Sequence, residues 1–478
     1  MERKAGTAVK PGETELARQL EYIRAIRAEN DAFAAENGRK KKFYSLAMGC
    51  QMNAHDSEKL EGMLDEMGFD RTDEETEADF IIYNTCCVRE NAEQKVYGKL
   101  GWLKHYKETK NPDAVIALCG CMMQQETVLQ TLRQKYRHVD IVFGTFNLYK
   151  LPELVATRME SGETVYDIWQ EQREVVEDLP AIRHFPYKAS VNIMFGCNNF
   201  CSYCIVPYVR GRERSRTPED ILAEVRRLAA DGVKEVMLLG QNVNSYGKNL
   251  ETPVSFAELL RMVNEVEGIE RIRFMTSHPK DLSDELIQAM ADCDKVCKYL
   301  HLPVQSGSDE ILRRMNRHYT KESYMELVRK ARAAMPDITL STDIIVGFPG
   351  ETDEEFQDTL SLIETVRYDA MFTFIYSPRV GTPAAKMPDP YTRAQKQVRF
   401  DALVAAANRI SEEKHRAYEG SVQRVLVDGA DGRGDHPLTA RTKGGRLVHM
   451  RGDASLVGRF VDVKITGSNT WALYGEEV

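Results

Sequence analysis

The order of apolar and polar positions from residue 42 onward predicts a chain in which strands and helices alternate. Short apolar runs of the kind found in buried strands cover residues 43–48, 79–85, 114–119 and 139–144. Apolar residues recur at helical spacing in residues 56–67, 91–107, 124–134 and 148–159. Such alternation is typical of an open, mostly parallel α/β sheet. We therefore expect residues 42–160 to form one α/β domain.

A second alternating series begins at residue 189. Its predicted strands are residues 189–195, 234–240, 271–276, 298–304, 338–346 and 370–375. Its predicted helices are residues 218–230, 256–266, 283–290, 321–335 and 354–366. Six strand-helix units in succession predict a partial (β/α)6 barrel over residues 189–415, joined to the first domain by a linker at residues 161–188.

The two ends of the chain carry different patterns. Residues 1–41 are predicted to be an N-terminal extension with one helix, which has Leu16, Leu20, Ile23 and Ile26 at helical spacing and ends at Asn37. A long helix over residues 393–419 leads into a tail with short strands at residues 422–428, 446–450 and 460–466. Residues 416–478 are predicted to form a small antiparallel, OB-like β-barrel. We expect Trp471 and Tyr474 to pack in its core rather than to stack on bases.

Composition narrows the class of protein. The 478 residues are 42% hydrophobic and 29% charged, as in globular proteins, and are too many for one core, so about three domains are expected. No apolar run is long enough for a membrane helix, and the first residues lack the apolar segment of an export signal, so we expect a cytoplasmic protein. Because the net charge is −9, any contact with RNA must come from local basic patches.

Three of the ten cysteines lie in one short segment. Cys197, Cys201 and Cys204 have the spacing C-x3-C-x2-C, which lets one loop close around an iron-sulfur cluster while supplying only three ligands. The open iron can then bind a small molecule, as the open position of catalytic zinc does. A structural zinc site would need a fourth nearby ligand, and no Cys or His follows Cys204 before His278. Disulfides are the other alternative, which a cytoplasmic chain disfavours.

Further cysteines follow the first three predicted strands. Cys50 comes after the first strand, Cys86 and Cys87 after the second, and Cys119 and Cys121 at the end of the third. Ligands of open α/β sheets bind at the carboxyl ends of the strands, so thiols from these three loops should converge. The pattern predicts a second site with three Cys ligands, with Cys119 buried in its strand. Burial of all of them in the core is the alternative.

The cysteine motifs resemble those of a known family. The central loop, with Tyr203 before its last Cys, resembles the signature of radical S-adenosylmethionine (SAM) enzymes. Together with the segments 49–53, 84–89 and 120–121, it resembles the radical SAM methylthiotransferases. This resemblance implies a two-cluster α/β domain, a radical barrel and a terminal TRAM domain. It also implies two 4Fe-4S clusters, one held by Cys50, Cys86 and Cys121 and one by Cys197, Cys201 and Cys204, although Cys87 and Cys119 leave the first set open to doubt.

The resemblance also implies an activity. Residues 239–246, 301–308 and 374–379 are similar to the branch that adds a methylthio group to C2 of an isopentenylated adenosine at position 37 of tRNA. This branch uses two SAM molecules per turnover, as methyl donor and as radical source, with a sulfur source and flavodoxin or ferredoxin as electron donor. We expect a monomer with no membrane contact. Other branches act on threonylcarbamoyl-adenosine of tRNA or on an aspartate of a ribosomal protein. A non-catalytic iron-sulfur protein, which binds RNA or carries electrons, is the alternative from another class.

Polar and Gly-rich residues end the six barrel strands, where such barrels have their active sites. From position and from the resemblance, the candidate cofactor-binding residues are Tyr203, Gly240, Gln241, Ser277, Gln305, Asp343 and Gly347. Apart from Tyr203, each has turn formation or capping as an equal alternative. Four arginines beside the Cys loop are candidates for RNA phosphates, or else belong to a solvated turn: Arg210, Arg212, Arg214 and Arg216. His278 and His301 also lie at strand ends, where a structural role is more common.

Overall fold

The computed structural model describes residues 13–87, 90–171, 180–430 and 434–478. These residues form a parallel sheet with helices, a half-open barrel of six strand-helix units and a small closed β-barrel. The fold class predicted from the sequence is confirmed. Within the described ranges, no helix combines the length and the apolar character required to cross a membrane.

The N-terminal unit is a six-stranded parallel sheet. Its helices are α1 (Glu13–Asn37), α2 (Gln51–Glu66), α3 (Glu90–Thr109), α4 (Glu126–Lys135) and α5 (Leu151–Ser161). Its strands are β1 (Lys42–Ala47), β2 (Asp70–Arg71), β3 (Phe80–Thr85), β4 (Val115–Gly120), β5 (Ile141–Phe143) and β6 (Val165–Asp167). Their order in the sheet is β2-β1-β3-β4-β5-β6. The four predicted strands are confirmed, whereas β2 and β6 are too short to give an apolar pattern.

Helix α1 packs on this unit. Ile23 and Ile26 are buried in the core between the sheet and α2, and the Asn30 side-chain amide donates to the Met67 carbonyl at 2.9 Å. Leu20, which shares their spacing, is 41% exposed. The helix therefore adds one apolar edge to the core of the first domain.

The central unit contains the second alternating series. Its strands are β7 (Lys188–Asn192), β8 (Met194–Phe195), β9 (Arg214–Ser215), β10 (Glu235–Leu239), β11 (Arg271–Phe274), β12 (Tyr299–His301), β13 (Thr339–Val346) and β14 (Ala370–Ile375). Its helices are α6 (Val206–Val209), α7 (Pro218–Ala230), α8 (Phe256–Asn264), α9 (Asp284–Asp292), α10 (Asp309–Arg314), α11 (Lys321–Ala334) and α12 (Asp353–Val366). Parallel sheets β7-β10-β11 and β12-β13-β14 are joined by a bridge between Ile272 and Val296. The predicted partial barrel of six units is confirmed.

Local sequence explains where several outer helices begin. Helix α8 starts after Ser255, whose hydroxyl accepts from the Glu258 backbone N–H while the Glu258 carboxylate accepts from the Ser255 N–H. Thr352 and Glu355 make the same pair of bonds at the start of α12. Such capping boxes satisfy N–H groups that the helix itself cannot pair. They fix the helix starts outside the barrel, so the strand ends inside remain free for a site.

The C-terminal unit is a closed barrel after the long helix α13 (Arg393–Arg416). Its strands are β15 (Val422–Gly429), β16 (Leu438–Thr442), β17 (Leu447–Arg451), β18 (Phe460–Ser468) and β19 (Leu473–Glu477), in the order β15-β16-β17-β19-β18. All neighbours are antiparallel except β17 and β19, which run parallel and so depart from the predicted antiparallel barrel. Trp471 is 71% exposed, so its assignment to the barrel core was wrong. Tyr474 is half-buried against the ring of His449.

Buried arginines attach this small barrel to the central unit. Arg446 pairs with Asp369 at 2.5 Å, and both side chains are buried. Arg273 donates to the Thr442 carbonyl at 2.7 Å, and Arg271 donates to the Arg441 carbonyl at 2.9 Å. Because removing one partner of a buried pair leaves an uncompensated charge, these contacts hold the two units in one arrangement.

Candidate active site between two sets of cysteines

The first cysteine set lies at the carboxyl ends of three neighbouring parallel strands. Cys50 precedes α2 after β1, Cys86 follows β3, and Cys121 follows β4. The loops are in close contact, since a Cβ atom placed on Gly49 would lie 2.5 Å from the Cys86 Sγ. Burial raises the pKa of Cys121 to about 11; the Arg210 charge opposes this rise, and the nearby thiols of Cys50 and Cys86 add to it. The structure thus brings together the thiols predicted to converge.

The two remaining cysteines of this unit are buried in the core. Cys119 lies within β4 with no exposed surface and packs with Phe43 and Ile82, as its mid-strand position predicts. Cys87 packs on the other face of the sheet in a cluster with Val96 and Leu100. Burial raises the pKa of both thiols well above the ordinary value. Cys119 has the surroundings of a core cysteine, whereas Cys87 also lies close to Cys121 and Cys86 of the first set.

The second cysteine set forms a loop between β8 and α6. The loop begins at Gly196, whose φ is +74°, and the Cys197 N–H donates to the Gly211 carbonyl at 3.1 Å. The Asn198 N–H donates to the Glu213 carboxylate at 3.2 Å, which ties the loop to the strand that returns beside it. Burial raises the pKa of Cys204 to about 12 and that of Cys197 to about 11. Backbone contacts thus hold the three thiols at one end of the barrel.

The donor atoms fit iron-sulfur clusters. No disulfide bond joins any of the ten cysteines in the structure. The described residues contain no group of His, Cys, Asp or Glu that would hold a single metal ion. Cysteines of one cluster contact different irons, so they stand farther apart than cysteines that share one ion. Two sets of three convergent thiols match the Cys ligands that 4Fe-4S clusters use.

Two buried arginines contact these thiols. The Arg210 Nε donates to the Cys121 Sγ at 3.2 Å, and its Nη2 lies 2.8 Å from the Asp56 carboxylate and 2.6 Å from the Asn53 amide oxygen. The Arg317 Nη1 donates to the Cys201 Sγ at 3.4 Å. The sequence analysis missed Asn53, Asp56 and Arg317. A signal existed for the first two, since they follow Cys50 at helical spacing on α2.

The four arginines beside the Cys loop do not form one exposed patch. Arg210 lies at the thiols of the first set, and Arg214 is buried with its guanidinium over the Phe146 ring. Arg216 is also buried and pairs with Glu224 at 2.6 Å. Arg212 is exposed, with its guanidinium 4.4 Å from the centre of the Phe200 ring. Arg212 is thus the exposed member of the four, whereas the other three contact protein partners.

Unpaired polar atoms line one half of the barrel mouth. The Gln241 Nε2 contacts the Met52 Sδ of the first domain at 2.6 Å, while its Oε1 is buried without a partner in the described structure. The Ser277 hydroxyl and both polar atoms of the Asn192 amide are likewise buried and unpaired among the described residues. Buried polar groups are usually hydrogen-bonded, so these atoms are suited to a bound polar molecule. Gly240 provides close packing here, since a Cβ would lie 2.6 Å from the Met194 Cγ.

The other half of the mouth is internally bonded. The Gln305 N–H donates to the Asp343 carbonyl at 2.9 Å, and the Asp343 carboxylate lies 3.5 Å from the His301 Nε2. Gly347 has a φ of +66°, and its N–H donates to the Glu351 carboxylate at 2.6 Å. Tyr203 packs against a small apolar cluster that includes Phe348. These four candidates are thus held in place by the scaffold.

The histidines at the strand ends have structural contacts. The His278 Nδ1 accepts from the Lys280 N–H at 3.2 Å and caps a short helical turn. Burial lowers the pKa of His278 to about 2, so the ring stays neutral. The His301 Nδ1 is hydrogen-bonded to the Ser341 hydroxyl at 2.9 Å. Both fit the structural role that the sequence favoured.

Glu351, below the barrel mouth, should make stability depend on pH. Burial raises its pKa from 4.5 to about 7, although the Gly347 N–H and Arg399 partly oppose the rise. Stability conferred by the protonated form is complete below about pH 4.5 and falls as pH rises through 7, by about 3 kcal/mol in all. Urea unfolding of Glu351→Gln should lose this part of the pH dependence. Glu354→Gln, at an exposed position of the same region, should retain it, and equal profiles for both variants would contradict the assignment.

Comparisons with known proteins agree with this arrangement. Residues 191–363 match the model of the Radical SAM superfamily, residues 42–144 match "Uncharacterized protein family UPF0004", and residues 416–478 match the TRAM domain. Among solved structures, the radical S-adenosylmethionine methyltransferase TsrM from Kitasatospora setae superposes with a TM-score of 0.51 at 15% identity, over 72% of this chain and 77% of that one. This likeness concerns the fold alone.

Curated relatives extend over almost the whole chain. The tRNA-2-methylthio-N(6)-dimethylallyladenosine synthase of Clostridioides difficile (strain 630) is 55% identical, over 96% of both chains. The synthase of Acetivibrio thermocellus is 55% identical, over 97% of this chain and 96% of that one. The synthase of Alkaliphilus oremlandii is 52% identical, over the full length of both chains (100% and 100%). Because the similarity spans all three structural units, the chain belongs to the family of tRNA-2-methylthio-N(6)-dimethylallyladenosine synthases, which are radical SAM enzymes.

Proposed function

We propose that this enzyme converts N6-(dimethylallyl)adenosine at position 37 of tRNA to its 2-methylthio derivative. The observation that carries the proposal is the meeting of two cysteine sets across the mouth of one barrel. Arg210 and Gln241 of the central unit contact Cys121 and Met52 of the first unit, so both cysteine sets lie beside one contact between the two units. The names of the curated relatives supply the substrate.

Each cysteine set would hold one 4Fe-4S cluster. Cys50, Cys86 and Cys121 would hold the first, and Cys197, Cys201 and Cys204 the second. When bound, the clusters supply one-electron and sulfur chemistry, which belongs to the cofactor rather than to protein side chains. The chain contributes the loops that fix the positions of the thiols, of which Cys86, Cys121 and Cys201 are buried.

The polar atoms at the barrel mouth would bind SAM, of which two molecules are used per turnover. Gln241 and Ser277 each present a buried oxygen without a partner among the described residues, which hydrogen-bond donors of a ligand can satisfy. Gly240 would pack beside Gln241, and Gln305, Asp343, Gly347 and Tyr203 would shape the opposite wall. A reduced flavodoxin or ferredoxin would supply electrons, and a sulfur source is required as well. We propose a cytoplasmic monomer.

The target adenosine must leave the stacked anticodon loop to reach the barrel mouth. Enzymes that act on an atom of a stacked base turn the nucleotide out into a pocket, and this one would accept the base between the two cysteine sets. Contacts to the RNA backbone then position the loop, and charged side chains near the mouth serve that purpose. Arg212 is exposed beside the Cys loop and meets this requirement.

Arg212→Ala should weaken tRNA binding in a salt-dependent manner. Loss of one phosphate contact is expected to reduce the slope of log K against log salt by about 1. Arg329→Ala is a suitable control because this arginine is exposed on the outer helix α11 and pairs with Glu326. Filter binding or fluorescence anisotropy at several salt concentrations would measure both slopes. An unchanged slope for Arg212→Ala would remove Arg212 from the RNA contact.

The proposed activity is tested by analysis of modified nucleosides. The reconstituted enzyme is incubated without oxygen with SAM, a reductant, sulfide and tRNA that contains N6-(dimethylallyl)adenosine. Mass spectrometry of the digested tRNA should show the methylthio derivative of this nucleoside. Modification of threonylcarbamoyl-adenosine instead, or of a ribosomal protein aspartate, would assign the chain to another branch. Absence of SAM cleavage under reducing conditions would contradict the enzyme activity itself.

A further inference from the structure

Each cysteine set receives a hydrogen bond from a different buried arginine. Arg210 contacts Cys121 of the first set, and Arg317 contacts Cys201 of the second. The two side chains are only 5% and 4% exposed. Neither arginine is used by the proposed reaction. Burying a guanidinium is costly unless it is paired, so its position beside a thiol calls for a reason.

Arg210 joins the two sets physically. It follows Cys204 by six residues, separated from it by the single-turn helix α6. Its side chain enters the first unit, where Asn53, Asp56 and Cys121 accept hydrogen bonds from it. A displacement of the second cysteine loop would therefore be transmitted through α6 to the first set. Arg317 makes no such bridging contact within the described ranges, where its partners Pro303 and Tyr319 belong to the same barrel.

The charges around Arg210 are partly balanced. Its guanidinium remains protonated at any physiological pH, and low solvent exposure strengthens its interaction with nearby charges. The buried Asp56 carboxylate offsets some of this charge at 2.8 Å. The reduction potential of a cluster depends on hydrogen bonds to its sulfurs and on the surrounding charge. Because reduction adds negative charge, a positive donor at a ligand sulfur favours the reduced cluster.

We propose that Arg210 is a positioning residue that raises the reduction potential of the cluster held by Cys50, Cys86 and Cys121 and fixes it against the second loop. Arg317 raises the potential of the cluster held by Cys197, Cys201 and Cys204. The inference rests on the proposed function, since it requires both clusters. Each cluster thus has its own arginine that influences its reduction potential, so the potentials of the two clusters can differ within one protein.

Potentiometric titrations followed by electron paramagnetic resonance test the proposal in the full-length reconstituted protein. The first cluster is observed alone in a Cys197→Ala, Cys201→Ala, Cys204→Ala background, and the second in a Cys50→Ala, Cys86→Ala, Cys121→Ala background. Arg210→Met should lower the reduced-to-oxidised ratio of the first cluster about tenfold at a given potential, equal to about 59 mV for one electron. The second cluster should not respond. Arg317→Met should give the reverse pattern.

Two further variants separate charge from packing. Arg210→Lys keeps the positive charge and should lower the reduction potential of the first cluster less than Arg210→Met does. Asp56→Asn breaks the same ion pair but leaves Arg210 uncompensated, so it should shift the potential upward. Damage to packing alone would instead shift the reduction potential of the first cluster in the same direction in Arg210→Met and in Asp56→Asn. That result would overturn the proposal. If Arg210→Met fails to retain iron, the other two variants still test the proposal, because the potential should shift downward in Arg210→Lys and upward in Asp56→Asn.

The same experiment separates the inference from the proposed function. A wild-type protein that holds only one cluster contradicts the proposed function. Two clusters whose potentials are unaffected by Arg210→Met and Asp56→Asn contradict the inference alone. Equal shifts of both clusters in Arg210→Met would show a general disturbance and would also overturn it.

Discussion

Replacement of Cys197, Cys201 and Cys204 by Ala should reduce the cleavage of SAM to background. These thiols are the ligands proposed for the cluster that leaves one iron open, whereas the other three candidate ligands lie in loops of the first domain. Cleavage is measured as 5'-deoxyadenosine formed under reducing conditions. The product tRNA should be lost as well, because no radical is available to activate the base.

The reciprocal variant should separate the two halves of the reaction. This variant replaces Cys50, Cys86 and Cys121 by Ala and so removes the proposed sulfur-carrying site. SAM cleavage should remain intact, whereas methylthio transfer should be lost. Cys297→Ala is the matched control, since this thiol is buried near Arg273 and Glu235, away from both sets. It should preserve both activities. Methylthio transfer by the reciprocal variant would show that the first set has no role in the reaction.

Gly196→Ala should disable the second cysteine set without altering a ligand. Gly196 has a φ of +74°, and a Cβ atom would lie 2.1 Å from the Arg212 carbonyl oxygen. An L-residue in the left-handed region costs roughly 1–2 kcal/mol, and the backbone clash adds to this cost. Because the clash lies next to Cys197, the loop must shift and the cluster should be lost. Iron content and SAM cleavage should both fall.

Gly232→Ala distinguishes the clash from the backbone strain. Its φ is +89°, but the added Cβ would meet no atom within 4 Å. This variant should lose a similar small amount of stability and keep its iron. Equal iron contents in Gly196→Ala and Gly232→Ala would show that the close packing of the loop is unimportant for the cluster.

The cysteine sets were accessible from sequence because their position depends on strand order. Thiols that follow neighbouring parallel strands must meet at one edge, so Cys50, Cys86 and Cys121 converge whatever the details of packing. The central loop was accessible from local spacing alone. The strand-helix alternation likewise predicted six barrel units, because apolar runs such as those of β10 and β13 are mostly buried, although no residue of β14 is fully buried.

The arginines show what sequence patterns leave open. Arg210, Arg212, Arg214 and Arg216 alternate in one segment, yet three are buried and one is exposed. Arg210 and Arg214 contact the first domain at Cys121 and Phe146, whereas Arg216 pairs with Glu224 of its own domain. Charge spacing contains no information about either kind of contact. Arg317 was missed because its thiol partner, although in the same barrel, is more than a hundred residues away in the chain.

The C-terminal barrel gives a second example. Strand β16 has an exposed arginine and two threonines among its five residues, so its apolar pattern is too weak to predict a strand. The parallel pairing of β17 with β19 depends on barrel closure rather than on local sequence. Trp471 was assigned to the core from its apolar character, but it lies in the turn between β18 and β19.

Iron content tests the central claim most directly, namely that one chain holds two separate clusters on two sets of three cysteines. After anaerobic reconstitution with iron and sulfide, the wild type should contain about eight irons, as two four-iron clusters require. Each triple Ala variant should contain about four. Loss of all iron on replacement of Cys197, Cys201 and Cys204 would contradict the claim, because the first set would then hold no cluster of its own.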